Sequence, residues 1–254
     1  MMRALTLPHF QNLTLAHVNM RTIAHDPTTT TVPHSQHRPN HRHCQSERRR
    51  GKDHPRDPSR SAAIRGGQVS LVIDTDPQAS ASQWAEWRQG LPPEVIDSAP
   101  PRIAAKIAAA TEQGAELIVI DTPPHADLAA SKAVEGADLV LIPCRPSAFD
   151  LAAMRTTIRL VELMQRRAFV VFTAGPPNAP LIYADACEVA ERFGASVCPK
   201  VLPDRAAYRH AVASGQTVFD LDPDGKAARE IKQLQRWTCE QLHMSTFAPE
   251  RMSA

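Results

Sequence analysis

The sequence predicts an α/β fold, a mostly parallel sheet flanked by helices, over residues 67–245 of the 254-residue chain. Three observations carry this. Short runs rich in β-branched residues are almost continuously apolar, as strands covered on both faces are. Longer stretches between them repeat their apolar residues at helical spacing. The two textures alternate along the chain, which is the pattern of a parallel sheet wrapped by helices.

Taken in order, the strands are VSLVID (69–74), ELIVID (116–121), ADLVLIP (137–143), AFVVFT (168–173) and a weaker SVCPKVLP (196–203). The helices are RIAAKIAAATEQ (102–113), DLAAMRTTIRLVELM (150–164), YADACEVAERF (183–193) and DGKAAREIKQLQRWTCEQL (224–242). Trp84, Trp87 and Trp237 fall on helical stretches, where packing is the expected role. Residues 246–254 read as a tail.

The first 66 residues differ. They hold eleven Lys and Arg against four Asp and Glu, while the rest of the chain holds 18 against 23. The net charge of +2 therefore hides a basic start and a mildly acidic body. Residues 25–66 lack apolar periodicity, so burial cannot offset the entropy of ordering them, and disorder is the expectation for 1–66. The five cysteines include no CxxC pair, which points to reduced thiols and an intracellular protein. No apolar run reaches the roughly 18 residues that span a bilayer, so no membrane partner is expected.

Two strands end in acids. VSLVIDTDPQAS delivers Asp74 and Asp76 to a carboxyl edge, and Pro77 stops the ladder. ELIVIDTPPH ends at Asp121, followed by Thr122 and a Pro123–Pro124 turn. Ligands of open α/β sheets bind beyond the carboxyl ends of the strands. An apolar run closed by Asp is the pattern that helps hold a nucleotide's Mg²⁺. The alternative for each Asp is a cap on the following helix.

In order and spacing, DTDPQASASQW, IVIDTPPH, ADLVLIPCRPSAFDL, VFTAGPPNAP and LPDRAAYRHAVASG resemble the ParA/MinD superfamily of deviant P-loop ATPases. The similarity is to short plasmid-type ParA partition proteins and covers residues 68 to about 243. It implies a cytoplasmic, nucleoid-associated ATPase of plasmid or chromosome partitioning. ATP and Mg²⁺ would be its cofactors, with an ATP-dependent homodimer, non-specific DNA and a centromere-binding protein as partners. Asp76 would lie near the attacking water and the metal, and Asp121 would be the Walker B acid beside Thr122. Asn178, Pro203, Asp204 and Arg205 would fall at the adenine pocket.

One part of that pattern is missing. The family opens with a strand and a KGGxGKT/S loop whose backbone N–H groups and lysines cradle phosphates. MRTIA (20–24) looks like the strand, but HDPTTTTVPHSQ comes after it. In QSERRRGKDHPRDPSR (45–60) the Gly51–Lys52 pair has no glycine-rich approach and no Ser or Thr after the lysine. Codon degeneracy offers an account. Read from the second base of each codon, residues 45–60 permit SQKGGAGKTTLAIHLA, and Asn40–Cys44 permit TIAIV. Reading from the third base fails, because the codon spanning Lys52 and Asp53 is then AGA or GGA, never Thr. The basic arm thus reads as a phosphate-loop segment translated out of frame, with the frame restored by about Gly66–Gln68.

Other readings stay open at this point. ERRRGK could be a true nucleic-acid arm on a non-catalytic, scaffold-like relative, and a metabolic or maturation ATPase of the superfamily is a further alternative. Cys144 and Cys198 form no carrier-type pair, which counts against the latter. His34, His37, His41 and His43 with Cys44 lack paired zinc spacing. His125 reads as a surface or cap residue.

Overall fold

The computed structural model describes residues 3–8, 70–123 and 127–244. Six strands form one parallel sheet: β1 (Arg3–Pro8), β2 (Ser70–Asp74), β3 (Glu94–Asp97), β4 (Leu117–Thr122), β5 (Leu139–Cys144) and β6 (Ala168–Phe172). Their order across the sheet is β3-β2-β4-β1-β5-β6. Among the described residues eight α-helices accompany them: α1 (Ser80–Trp87), α2 (Ile103–Glu112), α3 (Asp127–Gly136), α4 (Ala148–Leu163), α5 (Pro180–Arg192), α6 (Ala206–Ala213), α7 (Val218–Leu221) and α8 (Lys226–Gln241).

The continuous apolar runs sit where two-faced burial requires them. Along β4, Leu117 and Val119 pack into one core layer, and Ile118 and Ile120 into the other. The first layer is closed by Trp84 of α1, Tyr208 and Ala211 of α6, Val218 of α7 and the apolar stripe of α8. The second is closed by α2, α4 and α5 through residues such as Ile103, Met154, Ile158 and Tyr183. Trp84 is buried as expected, and Trp237 meets Phe169 edge-on at 4.8 Å, whereas Trp87 is half exposed.

Three features differ from the sequence reading. SVCPKVLP forms no regular strand but two isolated bridges to the β6 side, Val197 to Val170 and Leu202 to Thr173. Three steps along one side face five along the other, and Pro199 between them has no N–H to donate. EVID (94–97) is a sheet-edge strand that its half-exposed pattern conceals. The third concerns the mid-sheet position. Arg3–Pro8, inside the segment read as unstructured, pairs with β4 over six positions and with β5 over two. MRTIA and the remainder of 9–69 lie outside the described residues.

A buried cation ties the sheet-edge helices together. Arg88 is 3% exposed and stacks over Trp84 at 4.8 Å. It donates to Pro92 O at 2.9 Å, Gly215 O at 3.0 Å and Asp220 Oδ2 at 3.0 Å. Burial pushes Asp220 up, but hydrogen bonds from Thr217 and Arg88 outweigh it and hold the carboxyl below its usual range. Gly215 makes the approach possible. Its φ is +63°, and a Cβ there would lie 2.7 Å from Trp87 O. Gly215→Ala should therefore destabilise by about 2–4 kcal/mol, the sum of left-handed strain and a backbone clash. A urea midpoint unchanged from that of the parent chain would contradict this.

Candidate functional site

Because every strand is parallel, all six carboxyl ends face one edge, and the two acidic strands meet there side by side. The tetrapeptide VIDT occurs at both 72–75 and 119–122. The two copies align in register, Val72 with Val119, Ile73 with Ile120 and Asp74 with Asp121. Thr75 then stitches the ends together, its N–H donating to Asp121 O at 2.9 Å and its hydroxyl at 2.6 Å. Thr75 was not singled out from sequence, although the repeated tetrapeptide carried the signal.

The two aspartates at the end of β2, Asp74 in the strand and Asp76 just beyond it, have separate tasks. Asp74 is buried and accepts from Asp76 N at 3.0 Å, Ser82 N at 2.9 Å and Ser82 Oγ at 3.1 Å. It supplies the first turn of α1 with the cap that Ala79, at φ +51°, cannot provide. The capping alternative is thus the right one for Asp74. Asp76 is half-buried at the edge and accepts from Gln78 N at 2.8 Å, which holds the turn at Pro77. Asp121 is 4% exposed, and beside it the buried Thr122 Oγ1 has no hydrogen-bond partner among the described residues.

The positions expected at an adenine pocket lie on two loops at the other side of the same edge. Ala174 N donates to Leu202 O at 2.8 Å and Asp204 N to Gly175 O at 2.8 Å, so the loops carrying Asn178 and Pro203–Arg205 are joined. Asn178 is exposed at φ +63°, Pro203 is buried, and Asp204 is exposed and paired with Arg209. Arg205 donates through Nε to both oxygens of Glu230, at 3.0 and 2.8 Å, and Tyr208 Oη donates to the same carboxylate at 2.9 Å. Glu230, on α8, was not found from sequence; 25 positions separate it from Arg205. The Arg205 guanidinium is thus engaged by Glu230.

From β4 to β6 is three strand spacings, about 14 Å. The intervening ends belong to β1 and β5. Pro8 lies opposite Thr122, beside the acidic pair. HFQNLTLAHVN follows it in the sequence, and the chain has no glycine before Gly51 and no lysine before Lys52. Asp76, Asp121 and Thr122 are oxygen donors suited to Mg²⁺. The phosphate side does not fit: stacked backbone N–H groups need glycines at close approach, and a lysine must balance the charge.

Cys144, Cys187, Cys198 and Cys239 are free thiols. Burial pushes Cys144 up to about 12 and Cys198 up to about 11, so both stay protonated at neutral pH. Among the described residues no group of three or more His, Cys, Asp or Glu is placed to hold a metal alone. None of their helices is long and apolar enough to cross a membrane. A cavity of about 260 Å³ lies away from the carboxyl edge, between β6 and the end of α4, against Ile158, Val161, Arg166 and Ser196.

No protein-family model matches the chain. Maintenance of carboxysome distribution protein A of Halothiobacillus neapolitanus is 32% identical over 180 residues, 66% of this chain and 81% of that protein. The chain belongs to the ParA/MinD superfamily. The same-named protein of Gloeobacter kilaueensis is 29% identical over 185 residues, 72% of this chain and 84% of the relative. Solved ParA/MinD structures share the fold. The MinD cell division protein of Aquifex aeolicus superposes with a TM-score of 0.52 at 16% identity, over 75% of this chain and 90% of that one. A ParA family ATPase of Chlorobium tepidum gives 0.51 at 15%, over 68% and 88%.

Proposed function

We propose that residues 67–245, with a mid-sheet strand, are the body of a ParA/MinD-type ATPase that distributes an intracellular cargo. The observation that carries this is the in-register pair of acidic strand ends, in a chain whose sequence relatives are named for carboxysome distribution. Those names favour cargo positioning over the plasmid or chromosome segregation that the motifs alone implied. An adaptor protein on the cargo, rather than a centromere-binding protein, is then the partner that stimulates hydrolysis, with non-specific DNA as the surface and an ATP-dependent homodimer as the active form. In this reading Asp121 and Thr122 face the Mg²⁺, Asp76 orients water at the same edge, and the Asn178 and Pro203–Arg205 loops border the base.

The reading is tested on a protein in which residues 1–67 are replaced by a strand, a glycine-rich phosphate loop and a helix. Such a protein should hydrolyse ATP, and DNA should stimulate it. Asp76→Ala should lower turnover at least about 100-fold while leaving ATP affinity within about threefold, because the lost interaction acts only in the reaction. Asp121→Ala should instead weaken Mg²⁺-dependent binding about tenfold or more. Wild-type turnover in the Asp76 variant would remove Asp76 from the reaction.

A further inference from the structure

β6 is the last strand in the sheet order, and its amino end, away from the acidic strand ends, is incompletely paired. Alternate residues of a parallel strand turn their N–H and C=O to opposite neighbours. Val140 N donates to Arg167 O at 2.9 Å, so Arg167 and Phe169 face β5 while Ala168, Val170 and Phe172 face outward. Val170 is met there: its N–H donates to Ser196 O and its C=O accepts from Cys198 N, both at 2.8 Å. Phe172 O accepts from Leu202 N at 2.9 Å. Ala168 is not met. Among the described residues no backbone group pairs with its N–H or its C=O on that side. An edge of this kind is a template for a further strand.

The cavity of about 260 Å³ lies at this opening. Ala168 and Ser196 line it together with the buried Ile158, Val161 and Val170. A cavity of about 150 Å³ takes a benzene ring, so this one accommodates a leucine or phenylalanine side chain. Two cations stand at its rim. Arg166 donates to Glu135 O at 2.6 Å, and Arg167 donates to Gln241 O at 2.8 Å and Gln241 Oε1 at 2.9 Å. These acceptors are neutral, and among the described residues neither guanidinium enters an ion pair. Glu162 is the single acid among the described lining residues, so the rim keeps a positive excess.

We infer that this opening docks an extended segment of a partner protein, an apolar side chain flanked by acids. Its backbone pairs with Ala168, its apolar side chain fills the cavity, and its carboxylates meet Arg166 and Arg167. The open edge selects a peptide over a small carboxylate. Ala168 presents an N–H and a C=O together, and a carboxylate has no donor for the second. The inference goes beyond the ATPase reading and does not need it, since a chain that hydrolysed no ATP would present the same surface.

The test is a fluorescence-anisotropy titration of the 254-residue chain with a labelled, capped pentapeptide. The peptide has phenylalanine at its centre and two glutamates on each side. A Kd of about 10–300 µM is expected. Lysines in place of the glutamates should weaken binding at least about tenfold. N-methylation of the phenylalanine and of the residue after it should do the same, because it removes the donor to Ala168 O in either strand direction. Arg166→Gln should cost at least about threefold. The peptide changes leave the protein untouched, so they decide the matter even where the Arg166 variant folds poorly. No binding at 1 mM peptide, or full affinity in the N-methylated peptide, would overturn the inference. So would equally tight binding of 3-phenylpropionate, which would make the cavity a small-carboxylate site, or full affinity in a folded Arg166→Gln protein.

Discussion

The 254-residue chain should show no measurable Mg·ATP binding in a calorimetric titration. Phosphate binding at a sheet edge draws on consecutive backbone N–H groups and a lysine. The segment leaving β1 has neither glycine nor lysine before residue 51. What the edge does offer is Asp76 and Asp121, and two carboxylates without a cradle repel a polyphosphate. The Asn178 and Pro203–Arg205 loops could touch only a base, and the Arg205 side chain is already held by Glu230. A Kd weaker than about 1 mM is expected, against micromolar for the protein given a glycine-rich phosphate loop, a difference of about 4 kcal/mol or more. Micromolar binding by the chain as it stands would refute this account of the site.

Deleting residues 1–8 should abolish cooperative folding. β1 supplies the ladder partner of β4 from Leu117 to Thr122 and of β5 at Leu139 and Val140. Without it the sheet splits into β3-β2-β4 and β5-β6, each with a new edge in the middle of the core. Every buried backbone group left unpaired costs about 1–3 kcal/mol. Several such losses exceed the roughly 5–15 kcal/mol by which a domain is stable, and the opened edges invite aggregation. The truncated protein is expected in the insoluble fraction, without a sharp thermal transition. A monodisperse truncation that melts in one step near the parent's temperature would show that Arg3–Pro8 contributes little.

The α/β class, β2, β4, β5 and β6, and the bodies of α2, α4, α5 and α8 were legible because continuous apolar runs and helical spacing survive without tertiary context. EVID was not, since an edge strand with one open side has no distinctive pattern. SVCPKVLP was read as a strand because its Val and Leu residues outweighed its prolines, yet Pro199 interrupts the ladder. β1 was invisible because six residues of mixed character become a strand only through the open position between β4 and β5. At the site, Asp76 and Asp121 could be found as strand-end acids. The helix-capping role of Asp74 depends on Ser82, and the clamp on Arg205 depends on Glu230. Both are pairings of the folded chain that no local spacing announces.

The position of β1 also bears on how the chain acquires its shape. Arg3 pairs with Leu117, 114 positions later, and Leu5 with Leu139, 134 positions later. Closing contacts at such separation is what slows folding in sheets of high contact order. During synthesis at roughly 5–20 residues per second, the first strand waits about 6–23 s for its first neighbour to leave the ribosome. For that interval the central strand has neither of its ladder partners, and chaperone capture competes with assembly.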